Sequence, residues 1–434
     1  MNKEWESDYT SFDEIALLTE GELPAADAPE WFKTYFAYRT EKNMTDNEGT
    51  GEAQVKMGDI NDEMRALQNE NFARWYDRAA FQNANYLKWC NRFVKAFREI
   101  DPHSLTGFEG TDSFTIRKLT TRSRQGGDLD AFVREMEFFG PYEGPANEVV
   151  RSIQPKGYYA GNWIGYSMLA NQLLEGYWAV VLNGMNTVQW WRWDNLQGYH
   201  GFIAPSFDAW PASKELLEDT QVVRDGLGDL LMECEIQDDG IAMYYSLPST
   251  YIAHFDGNDT YGFYKRDHKI WYEAIHDAGM QFDYVTDRML RLGEFDIDHY
   301  KVLILPLAFA IGEKEAEVIR EFVEKGGTVI ADVRPGTCDD HCKPLEKGVL
   351  DDLFGIERKG KLDAFEIDRM RVGGEVGGTP VSMEWGNWNG VEIYPQMKVD
   401  PAVRATIGKP LGLADLIHFW DMKRPVCVVN EVGK

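Results

Sequence analysis

Residues 157–200 read GYYAGNWIGYSMLANQLLEGYWAVVLNGMNTVQWWRWDNLQGYH, and this stretch decides the fold. Its middle part predicts an amphipathic helix, because the apolar residues Leu173, Leu174, Trp178, Val181 and Leu182 recur at helical spacing. The flanking residues 157–164 and 187–193 are short runs rich in β-branched and aromatic side chains, which is typical of strands. The stretch therefore predicts a strand, a helix and a second strand.

The second of these strands ends in a cluster of indole side chains. Trp190, Trp191 and Trp193 stand beside Arg192 and Asp194. A tryptophan ring stacks on the apolar C–H face of a sugar, while arginine and carboxylate groups bind the sugar hydroxyls. Tryptophan is also commonly buried in protein cores, so packing in the core is an equally good interpretation of each of these rings.

Strand and helix patterns alternate four times between residues 100 and 195, which predicts a parallel sheet with crossover helices. Polar and aromatic residues stand at the predicted end of each strand. In a (β/α)8 barrel, these carboxyl ends form the active face. We therefore expect an α/β protein that contains the second half of a (β/α)8 TIM barrel, with these residues at its strand ends: Glu109, Tyr142, Glu143, Asn162, Trp163, Trp191, Arg192, Trp193 and Asp194.

A second alternating region follows from residue 238. Strand patterns at 241–247, 282–285, 301–306 and 328–333 flank helical patterns at 261–278 and 313–325. Such alternation predicts a small doubly wound α/β domain of the flavodoxin-like or class I glutamine amidotransferase-like type. Short strand patterns and Gly/Pro turns fill the remainder. The predicted domains are residues 1–237 (barrel portion), 238–335 (doubly wound domain) and 336–434 (β-rich segment).

The composition is that of an acidic globular protein. Lys and Arg number 45 against 72 Asp and Glu, and the net charge of −27 disfavours nucleic acid and anionic membranes as partners. The five cysteines are scattered and odd in number, which favours reduced thiols in the cytoplasm over a disulfide framework. Residues 1–10 lack the pattern of a signal peptide, and no apolar run is long enough to span a membrane. We expect a cytoplasmic protein.

Four segments of the chain resemble glycoside hydrolase family 42, the β-galactosidases that combine a catalytic barrel, a flavodoxin-like trimerisation domain and a C-terminal β domain. Residues 2–15 (NKEWESDYTSFDEI) resemble the segment after the fourth barrel strand. Residues 188–200 (VQWWRWDNLQGYH) resemble the eighth strand and the histidine beyond it, here His200. Residues 300–333 (YKVLILPLAFAIGEKEAEVIREFVEKGGTVIADV) resemble the trimerisation domain most specifically. Residues 425–434 (PVCVVNEVGK) resemble a strand that continues further in the family.

The resemblance implies a retaining glycosidase that acts on β-galactosides or related glycosides, uses no cofactor and assembles as a homotrimer. It also implies truncation at both ends, because the strand with the acid/base glutamate would precede residue 1. Where the family has its nucleophile, residues 158–163 contain no carboxylate. Glu143 is therefore the first candidate for the attacking carboxylate, and Glu109 is the second. The candidate sugar-binding residues are Tyr142, Asn162, Trp163, Trp191, Arg192, Trp193, Asp194 and His200.

Three other interpretations stay open. The chain is a non-catalytic carbohydrate-binding or scaffolding protein if the carboxylates of the family have been lost. The doubly wound domain also fits a glutamine amidotransferase, although Leu305-Pro306-Leu307 offers no nucleophilic cysteine at a strand end. The run Cys338-Asp339-Asp340-His341-Cys342 contains zinc-ligand residue types without a second ligand pair, so we expect a loop with free thiols and no metal site.

Overall fold

The computed structural model describes only part of the chain. The described residues are 19–20, 23–24, 71–109, 128–140, 145–155, 159–165, 169–192, 201–204, 206–256, 263–359, 365–376, 379–388, 391–392, 398–399, 402–416 and 419–433. Near the N-terminus, β1 (Thr19–Glu20) pairs with β2 (Leu23–Pro24). Among the described residues, no helix combines the length and the apolar character that crossing a membrane requires.

The first large sheet is parallel, and its strands lie side by side in chain order. They are β3 (Gly107–Glu109), β4 (Phe138–Gly140), β5 (Tyr159–Gly165) and β6 (Thr187–Trp191). Consecutive strands of a (β/α)8 barrel have this arrangement. The prediction of four parallel strands is confirmed.

The first strand is shorter than the sequence pattern predicts. Residues 103–108 carry a strand pattern, but the carboxylate of Asp101 accepts hydrogen bonds from the backbone amides of His103 and Ser104, both at 3.0 Å. This local bonding holds the chain in a turn. Strand geometry therefore begins only at Gly107.

Helices join these strands and cover one face of the sheet. The first helix, α1 (Ala73–Arg98), has 26 residues. Asp128 caps the first turn of α2 (Leu129–Glu135), because its carboxylate accepts a hydrogen bond from the amide of Ala131 at 3.0 Å. The strand β4 begins soon after this helix. The helices are α1 (Ala73–Arg98), α2 (Leu129–Glu135), α3 (Pro145–Ile153) and α4 (Ala170–Leu182).

The segment that leads to the second sheet carries a helical pattern over residues 211–233, but the helix is interrupted. α5 (Pro211–Val222) passes through a π-helical turn, Val223–Leu227, into α6 (Gly228–Glu233). Gly226 has φ 132° inside this turn, a conformation that glycine adopts without steric cost.

The second sheet is also parallel. Its order, β10-β9-β7-β8, places the first strand in the chain between the second and the third, which is the flavodoxin-like order. The pattern predicted strand up to Leu247, but Ser246 accepts a hydrogen bond from the amide of Ser249 and a helix begins at Leu247. The strands are β7 (Ile241–Tyr245), β8 (Asp283–Thr286), β9 (Val302–Leu305) and β10 (Thr328–Ala331); the helices are α7 (Leu247–Asp256), α8 (Phe263–Asp277), α9 (Asp287–Leu292) and α10 (Glu313–Glu324).

The C-terminal part forms antiparallel ladders. A sheet with the order β14-β13-β12-β17-β18 carries β15 beside β12, and β11 pairs separately with β16. The strands are β11 (Ile356–Arg358), β12 (Phe365–Val376), β13 (Thr379–Trp388), β14 (Val391–Glu392), β15 (Lys398–Val399), β16 (Val403–Ala405), β17 (Lys409–Leu416) and β18 (Phe419–Val429).

One hydrophobic core joins the first sheet to the second. Side chains of β7 alternate between two clusters: Met243 and Tyr245 pack with residues of α2 to α4, whereas Tyr244 packs with α10 on the other face. The strands β7, β8 and β9 are therefore buried on both faces, as strands of parallel sheets usually are, whereas the edge strand β10 is partly exposed. The helices of the first sheet pack against one face of the second sheet.

Charged side chains cross the same boundary. Arg151 of α3 donates from Nη1 to Asp283 at 2.9 Å, from Nη2 to the Phe282 carbonyl at 2.6 Å and from Nε to Glu148 at 2.9 Å. Burial raises the pKa of Glu148, and the Arg151 charge opposes that shift. Asp130 of α2 accepts from the hydroxyl of Thr286. We call this set of contacts the ionic seam.

Removing one partner of the ionic seam should destabilise the protein strongly. In Arg151→Ala, Glu148 would stay 1% exposed and lose its cation, which typically costs about 3–5 kcal/mol. Lys325→Ala is the matched control, because Lys325 pairs with Asp298 and Glu321 at the surface. The free energy of unfolding in urea should fall for Arg151→Ala and hardly change for the control. If the free energy of unfolding falls by the same small amount in both variants, the ionic seam is not a buried, coupled contact.

Candidate functional site

The strand β6 presents different residues to its two sides. Trp190 faces the helices, where it stacks on Tyr177 of α4 with ring centroids 5.7 Å apart and meets Phe202 edge-on at 5.6 Å. Val188 packs against the same core. Because side chains alternate along a strand, Thr187, Gln189 and Trp191 lie on the opposite side, which we call the inner face. Trp190 is therefore a core residue.

Trp191 lies on the inner face at the carboxyl end of its strand. Its side chain is 36% exposed. The Cζ atom of Arg192 lies 6.0 Å from the centroid of the Trp191 ring, at the outer limit of a cation–π contact. The peptide bond between these two residues is cis. An accessible indole beside a guanidinium group can provide both a stacking surface and hydrogen-bond donors for a sugar.

Asn162 does not reach the inner face. It is buried on the side of α3, where its Nδ2 donates to Oδ1 of Asn147 at 2.9 Å. Ala160 and Ile164, two residues to either side on β5, are buried in the core with the helices. Strand alternation thus turns this amide towards α3, and its contact with a sugar hydroxyl stays a prediction.

Gln189 is an inner-face residue that the sequence analysis missed. A Cβ atom built on Gly140 of β4 would lie 3.4 Å from Oε1 of Gln189 and 3.5 Å from the Gly161 carbonyl. The Gln189 amide thus reaches across β5 to the end of β4. Applying the two-residue strand period to Trp191 would have identified it.

Of the two candidate carboxylates, Glu109 stands at a described strand end and Glu143 lies outside the described residues. Glu109 is the last residue of β3, and its Cα pairs with that of Gly140 at the end of β4. Glu143 follows Gly140 by three positions in the sequence. Only the backbone is described for Glu109 and Trp163. Five further candidates lie outside the described residues and stay predictions: Tyr142, Glu143, Trp193, Asp194 and His200.

The carboxyl edge of the second sheet has the shape of a nucleophile elbow but not its chemistry. Leu307 follows β9 with φ 41°, and its position carries no nucleophile. Residues 307–311 are all at most 2% exposed and occupy the crevice between β7 and β9. Ligands of doubly wound domains bind in this crevice. The amidotransferase interpretation therefore has neither the nucleophile nor the open crevice that it requires.

Two carboxyl groups share a proton at the same edge. Asp332 accepts from the amides of Leu307 at 2.7 Å and Val333 at 2.6 Å and from the indole of Trp271 at 3.3 Å. Asp267 of α8 is hydrogen-bonded to it. Burial and the adjacent Asp332 carboxyl group raise the pKa of Asp267 to about 9. Asp267 is therefore protonated at neutral pH and donates to Asp332.

This pair predicts a specific pH dependence of stability. The folded-state pKa of Asp267, about 9, lies above the value near 3.9 of an unfolded aspartate, so its contribution is fully present below about pH 4 and is lost as the pH rises towards 9. In Asp267→Asn, the amide still donates to Asp332 and cannot ionise. The melting temperature of the variant should exceed that of the parent by several degrees at pH 8 and match it near pH 4. Asp277→Asn, at the exposed end of α8, should show no such pattern, and a parallel shift at both pH values would contradict the shared proton.

The cysteine-containing loop serves packing. Cys342 is buried and donates from Sγ to the Pro248 carbonyl at 3.4 Å, and burial raises the pKa of its thiol. His341 places Nδ1 2.8 Å from a carboxylate oxygen of Asp77 in α1. In the part of the chain that the structure describes, no group of three His, Cys, Asp or Glu residues has a geometry for binding metal. The loop thus links the second sheet to α1.

The fold is that of an α/β protein with a parallel β/α sheet followed by a flavodoxin-like domain, a combination found in one class of glycosidases. Residues 240–391 match the family model of the β-galactosidase trimerisation domain. The chain is 23% identical over 265 residues to β-galactosidase BglY of Alicyclobacillus acidocaldarius, a match that covers 58% of this chain and 36% of that protein.

Solved structures are similar over a larger part of the chain. The β-galactosidase from Rahnella sp. R3 matches with a TM-score of 0.65 at 14% identity, covering 83% of this chain and 54% of that one. The family 42 exo-carrageenase from Bacteroides ovatus matches with a TM-score of 0.52 at 12% identity, covering 88% and 63%. The chain covers less than two thirds of each relative. The resemblance to family 42 β-galactosidases seen in the sequence is therefore confirmed, by the trimerisation-domain match of residues 240–391 and by these relatives.

Proposed function

We propose that the chain is the second half of a catalytic (β/α)8 barrel with its trimerisation domain, from a retaining glycoside hydrolase that acts on β-galactosides or related glycosides. The observation that carries the proposal is the inner face of β6, where an accessible Trp191 stands beside Arg192 at a strand end. The likeness to β-galactosidases supports the substrate class. The exo-carrageenase among the relatives makes galactose-containing polysaccharides the next substrates to test.

The proposed mechanism assigns the nucleophile to Glu143, with Glu109 as the second candidate. Retaining glycosidases hold two carboxyl groups about 5–5.5 Å apart, one attacking the anomeric carbon and one protonating the leaving group. Glu109 and the segment leading to Glu143 start from paired positions in β3 and β4. No residue of this chain is assigned the acid/base role. Hydrolysis of unactivated glycosides by this chain alone should therefore be absent.

A mechanism-based label tests the nucleophile without the acid/base. The reagent is 2,4-dinitrophenyl 2-deoxy-2-fluoro-β-galactoside, whose leaving group departs as a phenolate without protonation. The attacking carboxylate forms a bond to C1 while the C1–O bond to dinitrophenolate breaks, and the fluorine slows hydrolysis of the glycosyl-enzyme. Mass spectrometry of peptides should find one fluorogalactosyl group on Glu143, and Glu143→Gln should abolish it.

The remaining outcomes of this labelling are equally informative. A label on Glu109, abolished by Glu109→Gln, would move the nucleophile to that residue. Release of dinitrophenolate without any covalent label would contradict a retaining mechanism. A protein that remains unlabelled at high reagent concentration would overturn the catalytic proposal.

A non-catalytic carbohydrate-binding role is the second candidate. One observation favours it: β5, the strand where the family has its nucleophile, carries no carboxylate, and its Asn162 is engaged by Asn147. Binding of a galactoside by a chain that takes up no label on Glu143 or Glu109 would support this alternative.

We also propose that residues 1–237, 238–335 and 336–434 are the three domains of the chain, and that the second assembles the protein as a homotrimer. The match of residues 240–391 to a trimerisation domain supports this assembly. Light scattering after size exclusion should give three times the chain mass of 49.7 kDa. A concentration-independent mass of 49.7 kDa would contradict it.

A further inference from the structure

Helix α1 has few buried side chains for its length. Of its side chains that the structure describes, four are buried: Ala73, Tyr76, Asp77 and Cys90. Helices in proteins owe most of their stability to the packing of one face, so a helix of 26 residues with so little buried surface has a low local stability. The individual contacts that attach α1 to its neighbours therefore have a large influence on whether it stays docked.

The first half of α1 contacts the flavodoxin-like domain through three side chains. Tyr76 meets Tyr251 of α7 edge-on, with ring centroids 5.4 Å apart. Asn83 donates from Nδ2 to the Tyr251 hydroxyl at 3.3 Å. Asp77 is only 3% exposed, and one of its carboxylate oxygens lies 2.8 Å from Nδ1 of His341. Among these contacts, the pair of Asp77 and His341 is the one that contains a group able to change its charge near neutral pH.

The loop that carries His341 is fixed by contacts that do not involve α1. Oδ1 of Asp339 accepts hydrogen bonds from the backbone amides of His341 and Lys343, both at 2.9 Å. The next residue, Cys342, is fully buried and donates from Sγ to the Pro248 carbonyl at 3.4 Å. The imidazole is therefore presented to α1 from a hydrogen-bonded turn that is anchored on the second domain.

Three carboxyl groups act on the imidazole of His341: Asp77 from α1, and Asp339 and Asp340 from its own loop. The hydrogen bond to Asp77 raises the pKa of His341 above its ordinary value, and burial of the ring opposes this shift. The Cys342 thiol beside it stays neutral, because burial raises its pKa. Since the folded-state pKa of His341 lies above the unfolded value of about 6.5, the stabilisation by the pair is fully present below about pH 6.5. It is lost as the pH rises through the folded-state pKa, where the buried carboxylate of Asp77 faces a neutral ring.

We propose that the His341–Asp77 pair is a pH-sensitive latch, which holds the first half of α1 on the flavodoxin-like domain while His341 is protonated and releases it when the ring is neutral. The side chain of His341 is 27% exposed, so the ring can exchange its proton with solvent while the helix is docked. Release would also reach the first sheet. Arg98, at the other end of α1, bonds to Glu137, which accepts from the Thr106 amide at 3.0 Å directly before β3.

Hydrogen exchange of the α1 amides at two pH values tests the latch. After correction for the pH dependence of intrinsic exchange, the opening equilibrium constant of amides 76–83 in the parent should rise about tenfold between about pH 6 and about pH 8.5, the effect of one lost charged hydrogen bond. In His341→Gln, the side chain cannot ionise, so the opening constant should be the same at both pH values. His299→Gln is the matched control, because His299 pairs at 2.9 Å with Asp238 of its own domain, and this variant should keep the tenfold rise.

Asp77→Asn covers the case in which His341→Gln does not fold. This variant should also abolish the pH dependence of opening, and NMR titration should show that the pKa of His341 falls towards its ordinary value. If the α1 amides of the parent open equally at both pH values, or if the β7 amides open in step with them, the pair does not act as a latch and the inference is overturned. A tenfold rise that persists in His341→Gln or Asp77→Asn would also overturn it, because other groups would then cause the effect.

Discussion

The shared hydrophobic core between the two parallel sheets is the contact on which the rest of the structure depends. Met243 and Tyr245 on one side of β7 pack with the helices of the first sheet, and Tyr244 on the other side packs within its own domain. Both faces of β7 are therefore covered by protein. The helices α2 and α3 are correspondingly buried against a neighbour that is distant in the sequence, so the two sheets stabilise each other.

The ionic seam defines how these elements fit together. A buried ion pair adds little net stability, since desolvation offsets most of the attraction, but it penalises any arrangement that separates the partners. Arg151 fixes α3 against β8, and Asn147 of the same helix bonds to Asn162 of β5. The position of β5 is therefore coupled to the flavodoxin-like domain. Because β5 is paired with β6, the same coupling extends to the inner face. A domain that serves assembly in relatives also supports the candidate site here.

Local rules of stability are broken at particular places in this chain. Within the part of the chain that the structure describes, Oε1 of Gln189 is buried without a hydrogen-bond partner, and burial together with Asp332 raises the pKa of Asp267 to about 9. Sequences fold best when local preferences and the global structure agree, so exceptions concentrate where a site or an interface requires them. Both residues keep one buried oxygen without a hydrogen-bond partner among the described residues, Oδ2 of Asp267 and Oε1 of Gln189.

Most of the architecture could be predicted from the sequence, because long apolar strands such as KVLILP and helices with a clear stripe carry strong periodic signals. The sequence patterns did not reveal features that depend on a single side chain, such as the residue at which an element begins or the side of the sheet that a residue faces. Asp101 delays β3, Ser246 starts a helix inside a predicted strand, and alternation turns Asn162 to the helices. The core role of Trp190 and the inner-face position of Gln189 required knowledge of which side of β6 the helices cover. The residues from Trp193 to His200 keep only their sequence-based assignment.

Native-state hydrogen exchange tests the central claim, that the two sheets form one cooperative structure, most directly. The account predicts that the backbone amides of β5 (Tyr159–Gly165) and of β7 (Ile241–Tyr245) exchange with the same opening free energy and lose protection together in rising denaturant. Exchange of the β5 amides through a separate opening of much lower free energy, with β7 still protected, would contradict it.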